Sequence, residues 1–88
     1  RVAFLANHGV VITGQTIAHA FDDLYYLERA CQAQVIAMST GRPMRRIPQD
    51  VARMTADQMS SDSERAQAVR HFEALKRILD REEPEYRD

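Results

Sequence analysis

The amino-acid sequence predicts an α/β fold in which two short strands precede three helices. The first fourteen residues are mainly apolar and β-branched, as expected of strands with a covered surface. After Thr16 the apolar residues recur every three or four positions, which is the period of an amphipathic helix. Glycine, proline and capping residues then divide the rest of the chain into three helical segments.

The two strands are predicted at residues 2–6 and 10–13. The first is a continuous apolar run and the second is β-branched throughout, so both favour an extended backbone. Between them lie Asn7, His8 and Gly9. Because asparagine and glycine tolerate a positive φ angle, we expect a tight turn or a bulge at this point.

A long amphipathic helix is predicted to begin after Thr16 and to end before Gly41. The Thr16 hydroxyl can accept a hydrogen bond from an amide of the first turn. Gly41 is a natural C-terminal stop, and Pro43 cannot easily continue a helix. One face carries an apolar stripe of Ile17, Phe21, Leu24, Leu27, Cys31, Val35 and Met38. Further tyrosines and alanines widen this stripe, so we expect the helix to contact a sheet and another element.

Two more helices are predicted between Pro48 and Pro84. Pro48 suits the first position of a helix that continues to about Met59. Ser61 and Glu64 have the spacing of a capping box, which marks the start of the last helix. Its predicted buried stripe consists of Val69, Phe72, Leu75 and Leu79.

The composition indicates a cytoplasmic protein that binds neither nucleic acid nor membranes. The chain has 12 basic and 13 acidic side chains, whereas proteins that bind polyanions show a basic excess. The one cysteine, Cys31, cannot form an internal disulfide, which favours a reducing compartment. No apolar run approaches the roughly 20 residues that span a bilayer. Because Arg1 leads directly into an apolar run, we expect the chain to be part of a larger fold.

His8 is the candidate metal ligand. A turn at the end of a strand commonly presents a functional side chain, and a neutral imidazole can bind a divalent metal. One histidine is not a metal site, however, because catalytic zinc sites need about three protein ligands. From local chemistry alone, a histidine that only forms hydrogen bonds in the turn is the better explanation of His8.

The other reactive side chains have plain structural explanations. We expect His19 to lie at the surface, His71 at the surface or at the rim of a contact, and Cys31 to be a buried, unreactive thiol in its apolar stripe. Glu28, in the middle of the long helix, can be a buried acid or can pair with a polar neighbour. The arginines of the loop after the long helix could hold a phosphate or carboxylate, but a solvated loop is the simpler interpretation; they are Arg42, Arg45 and Arg46.

The motifs of the first forty residues are more specific in combination than singly. They are the run of residues 4–14, then Thr16, Ala20-Phe21, Tyr26-Leu27-Glu28 and Ala30-Cys31. In this order and spacing they resemble the class II aldolase/adducin family, in which an apolar strand ends in Asn-His-Gly. Residues 71–80 resemble the adducin-like branch more than the short sugar-phosphate aldolases.

This resemblance implies a metal site to which His8 contributes. Aldolases of the family hold a divalent metal, typically zinc, with two histidines of a His-x-His motif and a third in the Asn-His-Gly run, where His8 falls. The metal acts as a Lewis acid that stabilises an enediolate, and a glutamate serves as general acid/base. The resemblance places the His-x-His motif and the glutamate upstream of these 88 residues.

The resemblance also implies an architecture. Residues 1–88 are expected to be the C-terminal portion of a single class II aldolase/adducin-like domain, with a central, mainly antiparallel sheet flanked by helices. Members usually assemble as cyclic homotetramers with active sites between subunits. Residues near the C terminus can then reach a neighbour's site, where Tyr86 could donate or position a proton.

Three functions are compatible with these residues. The first is a metal-dependent carbon–carbon lyase acting on a hydroxy-carbonyl substrate such as a sugar or sugar phosphate, although the family also includes epimerases, dehydratases and decarboxylases. The second is a non-catalytic, adducin-like assembly module. The third is a helical interaction module that only shares the pattern, and it predicts negligible metal content.

Overall fold

The computed structural model describes residues 1–87 and confirms the predicted class, with two antiparallel strands followed by three helices. Strands β1 and β2 span Val2–Leu5 and Gly9–Ile12. Helices α1, α2 and α3 span Ile17–Ser39, Gln49–Met59 and Asp62–Glu82. A short 3₁₀ helix follows at Pro84–Arg87, beyond the predicted end of the last helix.

The strands form a hairpin whose register pairs Val2 with Ile12 and Leu5 with Gly9. Beyond the last pair, Thr13 donates its backbone N–H to the Arg1 carbonyl over 2.9 Å. Backbone pairing in the hairpin therefore extends to Thr13, the residue that precedes Gly14.

Gly14 fixes the approach of the hairpin to α1. A Cβ atom at this position would lie 2.8 Å from the backbone nitrogen of Ala20, which is closer than unbonded atoms pack. Only glycine allows the chain to pass the first turn of α1 at this distance. This contact orients the hairpin on the helix.

The ends of α1 agree with the sequence. The Thr16 hydroxyl accepts a hydrogen bond from the His19 backbone N–H over 3.1 Å, as predicted for an N-cap. At the other end Gly41 has φ +70° and donates its N–H to the Met38 carbonyl. This is the left-handed conformation that terminates many helices.

The starts of α2 and α3 differ slightly from the prediction. Pro48 is the residue before α2 and not its first helical residue. The Ser61 hydroxyl accepts a hydrogen bond from the Glu64 N–H over 3.4 Å, which is half of the predicted capping box. The Ser61 N–H instead donates to the Gln58 carbonyl of the preceding helix. Since α2 ends so close to α3, its last turn satisfies the amide that the Glu64 side chain would otherwise bind.

The contact between α1 and α3 forms the centre of the structure. Ala68 is the only fully buried residue among residues 1–87, and its small side chain lets the two helices approach. Around it, Phe21 and Phe72 pack edge to face with ring centroids 5.6 Å apart. This geometry is favourable for aromatic rings.

Much apolar surface is not covered. The accessible surface of 7800 Å² exceeds the roughly 5,300 Å² expected for a folded monomer of 10.1 kDa. The radius of gyration of 16.1 Å likewise exceeds the value of about 12 Å expected for a compact chain of this length. Exposed apolar residues occur on every element, and those of the hairpin and the second half of α1 include Phe4, Val11, Val35, Ile36 and Met38.

This exposure corrects one expectation for α1. Cys31 was predicted to be buried, but it is exposed. The reason is that α3 packs against the first half of α1, around Phe21 to Tyr25, and does not extend to the second half. No helix of residues 1–87 is long and apolar enough to cross a lipid bilayer.

Candidate functional site

His8 lies in the loop that joins β1 to β2. Its backbone N–H donates to the Leu5 carbonyl over 3.2 Å, which closes a β-turn over residues 5–8. Asn7, the third residue of this turn, has φ +64°, as a type II turn requires. Gly9 follows with φ +113°, a conformation that side chains strongly disfavour.

The loop therefore owes its shape to the two neighbours of His8. A Cβ atom at Gly9 would meet no atom within 4 Å, so backbone conformation and not space demands glycine there. Asparagine tolerates the left-handed conformation at Asn7 better than most residues do. Between them, His8 is held at a fixed point of the hairpin and its side chain is exposed.

An exposed imidazole on a well-defined backbone suits one metal ligand, but not a complete site. Among residues 1–87 there is no group of three or more histidine, cysteine or acidic side chains that could hold a metal ion. A single imidazole gives no chelate, and catalytic zinc sites use about three protein ligands. The donor chemistry of His8 thus fits a shared site whose other ligands are supplied from elsewhere.

His71 is the second histidine of interest, and it lies at the rim of the contact between α1 and α3. Its Nδ1 atom lies 2.9 Å from Asp22 Oδ1, and 23% and 15% of the two side chains are exposed. The ring also packs edge to face on Tyr25, with centroids 4.7 Å apart. Because a carboxylate only accepts hydrogen bonds, Nδ1 of His71 carries the proton.

A second polar pair lies beside the first. Arg65 donates to Asp23 Oδ1 over 3.0 Å, and about a third of each side chain is exposed. The two aspartates are adjacent on α1, while their partners lie on α3. Asp22 and Asp23 thus interact with α3 instead of forming a free acidic face, and no spacing rule could pair them with residues more than 40 positions away.

The third histidine borders an open polar cavity. His19, Asp23 and Arg65 contribute to a cavity of about 530 Å³ where the end of β2 meets the first turns of α1 and α3. Its walls carry both positive and negative side chains, and two of them, Asp23 and Arg65, form an ion pair with each other. His19 is half-buried there and was expected at the surface.

The remaining candidates also have defined places. Glu28 is exposed, so it is not a buried acid. Tyr86 donates its hydroxyl to Asp80 Oδ1 over 2.5 Å, and Arg87 forms an ion pair with the same carboxylate. These two partners, Tyr86 first, hold the pKa of Asp80 below its ordinary value. The hydroxyl predicted to reach a neighbouring subunit is therefore engaged within its own chain.

A sequence profile of one family matches the start of the chain. It is described as the Class II Aldolase and Adducin N-terminal domain and covers residues 1–35. The match includes β1, the loop with His8, β2 and most of α1. The segment on which the resemblance was based is thus the segment that the profile recognises.

Curated relatives extend the likeness along the chain. A "Putative aldolase class 2 protein" of Pseudomonas aeruginosa is 38% identical over 87 residues, covering 94% of this chain and 33% of the relative. Human beta-adducin is 31% identical over 91 residues, covering 91% of this chain and 12% of that protein. The decarboxylase NovR of Streptomyces niveus is 36% identical over 61 residues, with 69% and 22% covered. The chain spans a third or less of each of these relatives, and no solved structure matches it.

Proposed function

The chain belongs to the class II aldolase and adducin family, and from this premise we propose that residues 1–88 are the C-terminal portion of a metal-dependent, aldolase-type domain. The proposed activity of the whole protein is carbon–carbon bond cleavage in a hydroxy-carbonyl substrate, a sugar or sugar phosphate. Relatives named as aldolase class 2 protein and as decarboxylase support a reaction at carbon next to a carbonyl.

The conformation of the loop around His8 is the observation that carries this proposal. Two residues with positive φ, Asn7 and Gly9, flank the histidine, and a turn hydrogen bond fixes its backbone. A histidine that served only as a polar turn residue would form side-chain hydrogen bonds in the turn, whereas the His8 ring makes none within residues 1–87. A fixed and exposed imidazole is what a ligand position requires.

The proposed metal is zinc, held jointly by His8 and ligands outside these 88 residues. The family generally uses a divalent metal, and imidazole is a common zinc ligand. When bound, such an ion polarises the substrate carbonyl as a Lewis acid. His8 would contribute one ring nitrogen to the metal from a loop whose backbone is held by a turn hydrogen bond.

Metal analysis of the full-length protein tests the role of His8. We expect close to one divalent ion per subunit in the wild type and a large loss in His8→Ala. Carbon–carbon lyase activity should fall by roughly 100-fold or more, because Lewis-acid stabilisation contributes several kcal/mol and 1.4 kcal/mol corresponds to a factor of ten.

His19→Ala is the matched control. His19 is also an imidazole near the start of an element. Its backbone N–H donates to the Thr16 hydroxyl, and the alanine substitution leaves this hydrogen bond in place. This variant should keep its metal. Unchanged metal content in His8→Ala would refute the ligand assignment, whereas metal without lyase activity in the wild type would refute only the reaction.

A non-catalytic, adducin-like assembly module is the alternative. It is supported by the likeness to human beta-adducin, which is 31% identical over 91% of this chain. This alternative predicts a stable assembly with less than stoichiometric metal. The same metal measurement therefore separates the two functions.

The proposal includes a homo-oligomer, a tetramer as is usual in the family, and a cytoplasmic location. The uncovered apolar surface of the hairpin and α1 supports burial in a larger assembly or domain. The single cysteine supports a reducing compartment.

A further inference from the structure

The loop between α1 and α2 forms a groove with an apolar floor and a basic rim. The groove has a volume of about 510 Å³ and is lined by Gln34, Met38, Met44, Arg45, Arg46 and Ile47. Its three apolar residues are about half exposed or more: the exposed fraction is 59% for Met38, 49% for Met44 and 66% for Ile47. Such a cluster is typical of a surface that another segment covers.

The basic charge of the groove, and of Arg42 in the same loop, is not neutralised within the described part of the chain. None of Arg42, Arg45 and Arg46 forms an ion pair within residues 1–87. Three guanidinium groups within five positions repel each other, and a partner with carboxylates would relieve this repulsion.

The end of α3 has the complementary charge. Glu82, Glu83 and Glu85 lie within four positions and are exposed. Within residues 1–87 only Glu82 of these three forms an ion pair, with Arg81 at 3.5 Å. Tyr86, also partly exposed at 45%, adds an apolar ring beside these acids.

This acidic segment is ordered before it meets a partner. The 3₁₀ helix of Pro84–Arg87 is held on α3 by the contacts of Tyr86 and Arg87 with Asp80. Since these contacts occupy Arg87, the segment's own cation does not neutralise Glu83 or Glu85. An ordered segment loses less conformational entropy on docking than a flexible tail.

The two surfaces do not meet within one chain. Among the elements of residues 1–87, the 3₁₀ helix contacts α3 alone, and no hydrogen bond or ion pair joins it to the loop of Arg42–Ile47. From this complementarity we infer that the basic groove of one copy receives the acidic end of α3 from a second copy. The contact is head to tail, because it joins two different surfaces. Successive copies joined in this way form a closed ring when the rotation between neighbouring copies permits it.

This inference rests on the oligomer included in the proposed function, but not on the metal or on catalysis. Its occupant is a second copy of the chain because the two surfaces have opposite charge and both carry exposed apolar side chains. The interface would place Met38, Met44 and Ile47 against Pro84 and Tyr86, with the arginines and glutamates around them.

Charge reversal in the full-length protein tests the inference. We expect Arg45→Glu/Arg46→Glu and Glu83→Arg/Glu85→Arg each to raise the dissociation constant of the oligomer by roughly tenfold or more, since close charge pairs across interfaces contribute strongly. The variant that combines all four changes should recover association to within a small factor. Sedimentation equilibrium at several salt concentrations measures these constants, and the wild-type assembly should weaken as salt rises.

The matched control is Arg53→Glu/Arg77→Glu, which reverses two exposed arginines outside the groove and should leave the mass unchanged. A wild-type monomer, unchanged association in both reversed variants, or further weakening in the combined variant would overturn the inference. Loss of thermal stability without a change in mass would also overturn it, because the groove would then hold a segment of its own chain. Metal content should stay constant in all variants, so failure here is distinct from failure of the His8 proposal.

Discussion

At the scale of single residues, function and structure depend on histidines with different surroundings. His8 is exposed in a loop whose shape is set by Asn7 and Gly9, whereas His71 is held between Asp22 and an aromatic ring. A ligand position needs a fixed backbone and an available nitrogen. His71 instead forms a hydrogen bond with the Asp22 carboxylate where α1 and α3 meet.

The pair of Asp22 and His71 should stabilise the contact of α1 with α3. In the full-length protein we expect a double-mutant cycle with Asp22→Ala and His71→Ala to give a coupling free energy of roughly 1 kcal/mol, because the hydrogen bond is charge-assisted but part-exposed. Urea unfolding of the four proteins measures it. The control cycle uses Glu73 and Lys76, an exposed pair at 3.4 Å, for which only a few tenths of a kcal/mol are expected. Equal coupling in the two cycles would contradict the role of His71.

The residues that sequence analysis located correctly have local signatures. Asn7, Gly9, Thr16 and Gly41 each act through their own backbone or through a neighbour within four positions, so the sequence carries the whole interaction. The partner of His71 was not predicted because Asp22 is 49 positions away. A pairing of that kind depends on how two helices cross, and no periodicity within one helix encodes it.

At the scale of elements, two contacts place the hairpin and the C-terminal segment on the helices. Gly14 allows the hairpin to approach the backbone of Ala20, and the pairing of Tyr86 and Arg87 with Asp80 holds the 3₁₀ helix on α3. The sequence predicted that the second strand ends at residue 13, but not the close approach that demands glycine at the next position. It also predicted that Pro84 ends the helix, without the turn that Asp80 organises afterwards.

The attachment of the 3₁₀ helix should depend on pH. The Tyr86 hydroxyl, and after it the Arg87 guanidinium, lower the pKa of Asp80 from its ordinary value of 3.8. A depressed pKa in the folded state means that the attachment is fully present above pH 3.8 and is lost as the pH falls through the lower, folded-state pKa. In Tyr86→Phe the pKa of Asp80 should rise toward 3.8, as a titration of the carboxyl carbon's chemical shift would measure. An unchanged pKa in Tyr86→Phe would show that the hydroxyl does not bind Asp80 in solution, and Tyr25→Phe is the control that should leave it unaffected.

At the scale of the whole molecule, the helices and hairpin are assembled around very little buried surface. Only Ala68 is buried among residues 1–87, and large apolar side chains of the hairpin and α1 face outward. The sequence indicated this through the width of the apolar stripe on α1, which one packing partner could not cover. It could not indicate which part of the stripe α3 would leave open, because that depends on where the two helices cross.

Residues 1–88 expressed alone should therefore not behave as a cooperative folded monomer. The exposed area of 7800 Å² against roughly 5,300 Å² for a folded chain of this mass leaves too little apolar burial to offset the conformational entropy of ordering. We expect a broad thermal transition by circular dichroism, self-association, and binding of a hydrophobic dye that the full-length protein does not bind.

The segment should also fail to bind zinc at concentrations that saturate the full-length protein, because His8 alone forms no chelate. A sharp transition at monomeric mass would contradict the stability argument, and tight zinc binding would contradict the view that His8 shares its metal with ligands elsewhere.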